Sequence, residues 1–201
     1  MKPASVLAVL VLLTAVAASA WVVWGDGSNP ASAANQVSTP DPTPRLPYVE
    51  PEPDPLVTPP YPVVFSRRDK PGSFLKSGVL TDAEVSLLTR TGVVRVTGTV
   101  TRNETGTTLG VWRFTVRDTA DPWDALAALD RHYEAGGHEL EPTNHRGLLL
   151  RKSRNATSAV FHGHYVHGRD VLRVEGYGPD ATPAVTALVD QQLTRSPGEE
   201  R

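Results

Sequence analysis

The chain has 201 residues, a formal net charge of −2 and no cysteine. Its 20 Lys and Arg residues are matched by 22 Asp and Glu residues, so there is no basic footprint for nucleic acid. The lack of cysteine excludes disulfides, thiolate metal sites and cysteine nucleophiles together.

The N-terminal segment of the chain is apolar. Residues 4–24 carry no charge, and a helix of that length spans about 30 Å, the thickness of a bilayer's hydrocarbon core. The length favours a retained transmembrane anchor at residues 1–24, and Ala-Ser-Ala at residues 18–20 or 31–33 makes a cleaved signal the alternative. Lys2 before the run and Asp26 after it favour a cytoplasmic N-terminus. The chain after residue 24 is therefore expected to be extracytoplasmic. It belongs to a single-pass protein of the cell membrane if the anchor is retained, and to a secreted protein if the signal is cleaved.

A proline-rich segment follows at residues 25–62. Ten of the 18 prolines fall within residues 38–62, and large apolar residues are few. Such a segment buries too little apolar surface to offset the entropy of ordering. The sequence therefore predicts a disordered linker that holds a domain at residues 63–196 away from the membrane, with a frayed tail at residues 197–201.

The first half of the domain shows a strand, a helix and a hairpin. Residues 63–65 are predicted as a short strand and residues 67–72 as a turn. Thr81 and Glu84 have the spacing of a capping box, which predicts a helix to about Arg90. Alternating apolar and polar residues at 94–101 and 112–117 predict two strands of a hairpin.

The second half adds two helices and three strands. Asp121-Pro122 begins a helix that ends at Gly136-Gly137, with Leu126, Leu129 and Tyr133 at helical spacing as its apolar stripe. Residues 148–150 are predicted as a strand. A hairpin at residues 160–177 comes next, and Thr182-Pro183 begins a last helix that ends before Pro197. This order predicts an α+β fold with an antiparallel sheet of about five strands covered by two main helices.

The hairpin has the most specific pattern in the chain. Gly168-Arg169 fits a two-residue type II′ turn, which sets His162 opposite Glu175 and His164 opposite Arg173. These four polar residues then share one face, which we expect to be largely solvated because the sheet is expected to be covered on one side only. The opposite face is expected to be core, with Phe161, Tyr165, Leu172 and Val174.

The overall layout resembles a known class of proteins. The layout consists of an export signal, a proline-rich stalk, a hairpin and a closing amphipathic helix. The hairpin sequence at residues 162–175 is His-Gly-His-Tyr-Val-His-Gly-Arg-Asp-Val-Leu-Arg-Val-Glu. The layout resembles uncharacterised membrane-anchored or secreted envelope proteins of actinobacteria, and is more distantly similar to envelope lipoproteins with a PsbP-like fold. The resemblance covers residues 79–195 and implies no activity. The chain departs from the lipoproteins in having no lipobox cysteine.

Catalytic motifs give one near match. Residues 73–76 fit the S-x-x-K motif of penicillin-binding proteins, and residues 90–92 and 153–155 resemble the other two elements of that family. These two elements stand in the reversed order, and the chain is too short for that fold, so the match is coincidental. The sequence has no G-x-S-x-G, no H-E-x-x-H and no glycine-rich phosphate loop.

One set of side chains is a candidate metal site. His162, His164 and Glu175 would present two imidazoles and a carboxylate, a set suited to Zn²⁺ or Fe²⁺. Arg173 beside His164 would repel a cation.

The sequence therefore predicts a non-enzymatic extracytoplasmic interaction module that is tethered to the membrane and has an envelope protein or the cell wall as its partner. It needs no cofactor and no nucleic acid. The alternative is a metal-binding protein or metal-dependent hydrolase that uses His162, His164 and Glu175.

Overall fold

The computed structural model describes residues 53–153 and 159–201. The predicted anchor and the predicted linker up to residue 52 lie outside the described residues, as do residues 154–158. Within the described ranges, no helix has the length and apolar character needed to cross a bilayer.

The described residues form one antiparallel sheet with helices on both of its faces. The strands are β1 Val63–Asp69, β2 Val93–Arg102, β3 Thr108–Val116, β4 His138–Leu140, β5 Leu149–Ser153, β6 Ala159–His167 and β7 Asp170–Gly178. They lie in the order β1-β2-β3-β7-β6-β5-β4, and each neighbouring pair is antiparallel. The helices are a 3₁₀ helix Pro71–Ser77, α1 Asp82–Arg90, α2 Pro122–Ala135 and α3 Ala181–Arg195.

This architecture confirms the α+β class but enlarges the predicted sheet. The sheet has seven strands and not about five, because β1 pairs along β2 and the three-residue β4 pairs with β5. The predicted turn at residues 67–72 is wrong. Residues 67–69 belong to β1, and the chain then enters the 3₁₀ helix.

Local capping signals place α1 and α2 correctly. Glu84 N donates to Thr81 Oγ1 at 3.2 Å and Thr81 N donates to Glu84 Oε2 at 2.9 Å, which is the reciprocal capping box of α1. Asp121 caps α2 by accepting from Trp123 N at 2.9 Å, and Pro122 occupies the first helical position.

The predicted hairpin register is confirmed. β6 and β7 pair His162 with Glu175, His164 with Arg173 and Tyr165 with Leu172, around the turn at Gly168, whose φ is 58°. A positive φ at the first turn residue is what a primed two-residue hairpin turn requires.

The expected solvation of the second face is wrong. His162, His164, Arg173 and Glu175 are only 5%, 1%, 1% and 3% exposed. The sheet is covered on both sides. α1, α2 and the 3₁₀ helix pack on the face that bears these polar residues, and α3 packs on the face that bears Tyr165 and Leu172.

The end of the predicted linker packs against α3. Gln192 Nε2 donates to Pro55 O at 2.7 Å, and Val57 N donates to Gln192 Oε1 at 3.0 Å. Leu56, Val57 and Tyr61 contact the core beneath α3. Residues 54–61 therefore belong to the folded unit, because the few apolar side chains in this stretch find a buried surface.

The predicted frayed tail also makes defined contacts. Glu199 N donates to Val166 O at 3.0 Å, and the Glu199 carboxylate accepts from Gly168 N at 2.6 Å. Arg201 lies 3.3 Å from the Asp121 carboxylate. The tail is thus held by hydrogen bonds at the turn end of the β6–β7 hairpin and by an ion pair at the start of α2.

Removal of residues 53–62 tests the packing of this segment. A chain that starts at Val63 loses the partly buried Leu56, Val57 and Tyr61. It also leaves the buried Gln192 Oε1 without the Val57 N–H, while Gln192 Nε2 keeps only the Tyr165 hydroxyl. We expect it to melt several degrees below a chain that starts at Pro53, since an unsatisfied buried polar group alone costs about 1–3 kcal/mol. Thermal unfolding of the two chains decides the matter. Equal melting temperatures would contradict the packing.

Candidate functional site

The sheet register brings the polar residues of the hairpin into two rows across the sheet. In one row Trp112 on β3 pairs with Arg173 on β7, which pairs with His164 on β6. In the next row Glu175 on β7 pairs with His162 on β6. Both rows face α1 and α2, so five large polar or aromatic side chains meet under one helical layer.

Two glycines inside the strands make room for these side chains. Gly98 on β2 pairs with Trp112, and a Cβ there would meet the Trp112 ring at 2.1 Å. Gly110 on β3 pairs with Glu175, and a Cβ there would meet Glu175 Oε1 at 2.6 Å. Glycine within a strand marks a close approach of this kind.

Arg173 is the centre of the buried network. Its Nη1 donates to Glu84 Oε1 at 2.8 Å and to Tyr133 Oη at 2.8 Å, and its Nε lies 3.1 Å from Glu175 Oε2. Tyr133 Oη donates to Glu84 Oε1 at 2.5 Å. The guanidinium also lies 5.0 Å from the Trp112 ring centre, within range of a cation–π interaction. Residues from α1, α2, β3 and β7 thus converge on one charge.

The charges of the network are fixed by their mutual contacts. Burial would raise the pKa of Glu84, but the Arg173 guanidinium, the Thr81 backbone N–H and the Tyr133 hydroxyl lower it to about 2. Burial acts in the same upward direction on Glu175, but Arg173, His162 and Trp112 together outweigh it and lower the pKa of that carboxyl. Burial lowers the pKa of Arg173, yet the facing carboxylates raise it overall. All three groups are therefore ionised at neutral pH.

The two histidines lie beside this network and stay neutral. His162 stacks on Tyr133 with ring centres 4.0 Å apart, and its Nδ1 lies 3.7 Å from Glu175 Oε2. Burial lowers the pKa of His162 and, with Arg173 nearby, lowers the pKa of His164 well below its usual value. Neither imidazole is protonated near pH 7.

A pocket of about 590 Å³ opens beside the network. His162, Arg173, Glu175 and Tyr177 form its sheet wall, whereas His164 does not line it. The remaining lining comes from α1, α2 and their flanking loops and from the ends of β2 and β3, with Gly78, Val79, Thr81, Glu84, Val100, Arg102, Thr108, His132 and Tyr133. The structure thus joins two of the three predicted site residues at a pocket wall.

The metal hypothesis gains no support from this geometry. In residues 53–153 and 159–201 no three His, Asp or Glu side chains are arranged to hold a metal ion. Glu175 already faces the Arg173 guanidinium at 3.1 Å. The metal site therefore stays a prediction.

Sequence reasoning missed two members of the network. Glu84 was interpreted only as a cap of α1, and Tyr133 only as part of the apolar stripe of α2. The sequence carried no direct signal for these two helical residues. Gly98 and Gly110 indicated only that other groups approach β2 and β3 closely on this face.

Comparisons with known proteins add no relative. No protein-family model, no curated protein and no solved structure matches this chain. The resemblance to actinobacterial envelope proteins stays a prediction.

Substitution of Arg173 tests the burial of the network. Arg173→Ala leaves Glu84 and Glu175 buried without their counter-charge, so we expect a loss of about 3–5 kcal/mol in the free energy of unfolding. Arg95→Ala, on the exposed surface of β2, should stay within about 0.5 kcal/mol. Urea melts of both variants give the comparison, and a small effect of Arg173→Ala would restore the solvated face expected from sequence.

The neutral histidines predict a loss of stability in mild acid. Unfolding lets His162 and His164 bind protons below their usual pKa of 6.5, whereas the native state keeps them neutral. The free energy of unfolding should therefore fall with decreasing pH, by up to about 1.4 kcal/mol per pH unit for each histidine. Glu84 adds a second loss between pH 4.5 and about 2, as its stabilising charge is neutralised.

Urea melts from about pH 7.5 to about pH 5 measure the histidine part. His164→Gln should flatten the slope relative to Val166→Ala, a packing variant on the same strand that adds or removes no titrating group. Equal slopes for the two variants would show that the pKa of His164 is not lowered in the folded protein.

Proposed function

We propose that the protein is an extracytoplasmic binding module, tethered to the cell membrane by residues 1–24, that binds a small polar ligand in the pocket beside Arg173. The observation that supports this is the pocket itself. Buried, ionised and mutually oriented side chains form its inner wall, and its volume of about 590 Å³ is typical of small-molecule sites.

The electrostatics favour binding over proton-transfer chemistry. A general acid or base works best when its pKa lies near the operating pH. The pKa of Glu84 is about 2 and the pKa of Glu175 is lowered, so both carboxylates are held as ionised partners of Arg173. The wall is therefore suited to hydrogen-bonding and orienting a ligand.

The proposed placement also agrees with the sequence. The uncharged run at residues 4–24 favours membrane insertion, and the proline-rich segment to residue 52 favours an extended spacer. An envelope protein or the cell wall would be the source of the ligand.

A screen of polar small molecules tests the proposal. Ligands that raise the melting temperature of the full chain should bind at least about tenfold more weakly to Tyr177→Ala and Arg102→Ala, because both residues line the pocket. Tyr61→Ala, on the α3 face, and Arg95→Ala, on the same strand as Arg102, are the matched controls and should bind normally.

Two results would count against the proposal. Ligands whose affinity is the same in the pocket variants and the controls would place binding elsewhere. Stoichiometric Zn²⁺ in the purified chain that is lost in His162→Ala would favour the metal-dependent alternative.

A further inference from the structure

Resting on the proposed function, we infer that the ligand of the pocket is a neutral polyhydroxylated molecule, that is, an uncharged sugar. Three features of the pocket favour such a ligand: its balanced charge, buried polar atoms that make no hydrogen bond within the described residues, and an aromatic side chain on its wall.

The charges around the pocket cancel. Two carboxylates, Glu84 and Glu175, line it together with two guanidinium groups, Arg102 and Arg173. Glu84 and Arg173 are bonded to each other at 2.8 Å, and His162 is neutral. An ammonium ligand would meet the charge of Arg173 and an anionic ligand the charge of Glu175. The wall therefore favours a ligand with no net charge.

Three buried atoms on the wall make no hydrogen bond within the described residues, namely Arg173 Nε, Glu175 Oε2 and His162 Nδ1. Arg173 Nε forms an ion pair with Glu175, and the other two need hydrogen-bond partners. Glu175 Oε2 and His162 Nδ1 lie in side chains that are 3% and 5% exposed, and neither makes a hydrogen bond within the described residues. The 3.7 Å between them is too long for a good hydrogen bond, and Oε2 only has the ion pair with Arg173 Nε. Buried polar atoms are normally satisfied, so these two mark a place for a ligand or water.

A hydroxyl group fits this pair better than an amine or a carboxylate. Glu175 accepts only, whereas a neutral imidazole nitrogen donates or accepts according to its tautomer. A hydroxyl both donates and accepts, so one hydroxyl or two adjacent ones satisfy Glu175 and His162 without adding charge.

The aromatic side chain and the size of the pocket fit a sugar ring. Tyr177 is half-buried, lines the pocket and meets His162 edge to face with ring centres 5.6 Å apart. It offers an apolar surface for C–H groups and a hydroxyl for hydrogen bonding. Thr81 and Thr108 add further hydroxyls to the lining.

Titration calorimetry of the full chain with matched sugars tests the inference. The probes are a panel of neutral mono- and disaccharides that includes N-acetylglucosamine, with glucosamine as the cationic and glucuronate as the anionic analogue. We expect at least one neutral sugar to bind, and its charged analogues to bind at least about tenfold more weakly.

Variants tie that binding to the proposed atoms. Glu175→Gln should weaken binding of the neutral sugar. Because Glu175 is buried, Tyr177→Ala is the second variant, and it should weaken binding about tenfold or more while Tyr61→Ala does not.

The outcomes separate the ligand class from the function. A charged analogue that binds as tightly as the neutral sugar, or a full panel without binding, overturns the inference. If the polar-ligand screen still yields a ligand that depends on Tyr177 and Arg102, the binding function stands and only the sugar assignment falls. If no ligand depends on these residues, both fall.

Discussion

The buried charge of Arg173 is the constraint on which the arrangement of the helical layer depends. An unpaired guanidinium in the interior costs several kcal/mol, so this residue needs partners from the elements packed around it. Glu84 on α1 and Tyr133 on α2 hydrogen-bond to Arg173, and Glu175, also on β7, forms an ion pair with it. The position of both helices over the sheet is thereby set by hydrogen bonds of defined direction as well as by apolar packing, and the pocket lies where these contacts end.

Stability alone does not require such a network. Well-packed apolar residues in place of a buried ion pair are often neutral or stabilising, by about 1–4 kcal/mol. Here the charged groups also form a pocket wall, and the Glu175 carboxylate and the His162 imidazole retain unused hydrogen-bonding atoms. We attribute the network to ligand binding for this reason. The lowered stability expected in mild acid is then a cost of keeping neutral His162 in that wall and neutral His164 beside it.

Turn and capping residues made much of the fold predictable from the sequence. The features that depend on tertiary packing were not predictable in this way. The Gly168 turn determined the register of β6 and β7, and Thr81 and Asp121 placed the starts of α1 and α2. The solvated face was wrong because polar residues at alternate positions of a strand look the same whether water or helices cover them. The sequence of β3 indicated that both faces of the sheet are covered. Val111 and Trp112 are adjacent apolar residues that point to opposite faces, and both are fully buried.

The alternation along β7 sends successive side chains to the two faces of the sheet. Leu172 and Val174 point to the apolar core under α3, which residues 54–61 extend, while Arg173 and Glu175 point to the pocket wall under α1 and α2. One strand thus serves both layers with successive residues. The α1–α2 layer has an apolar core of its own, which includes Phe74, Leu88 and Phe114. Arg173 and Glu175 therefore contribute both to the packing of that layer and to the pocket wall.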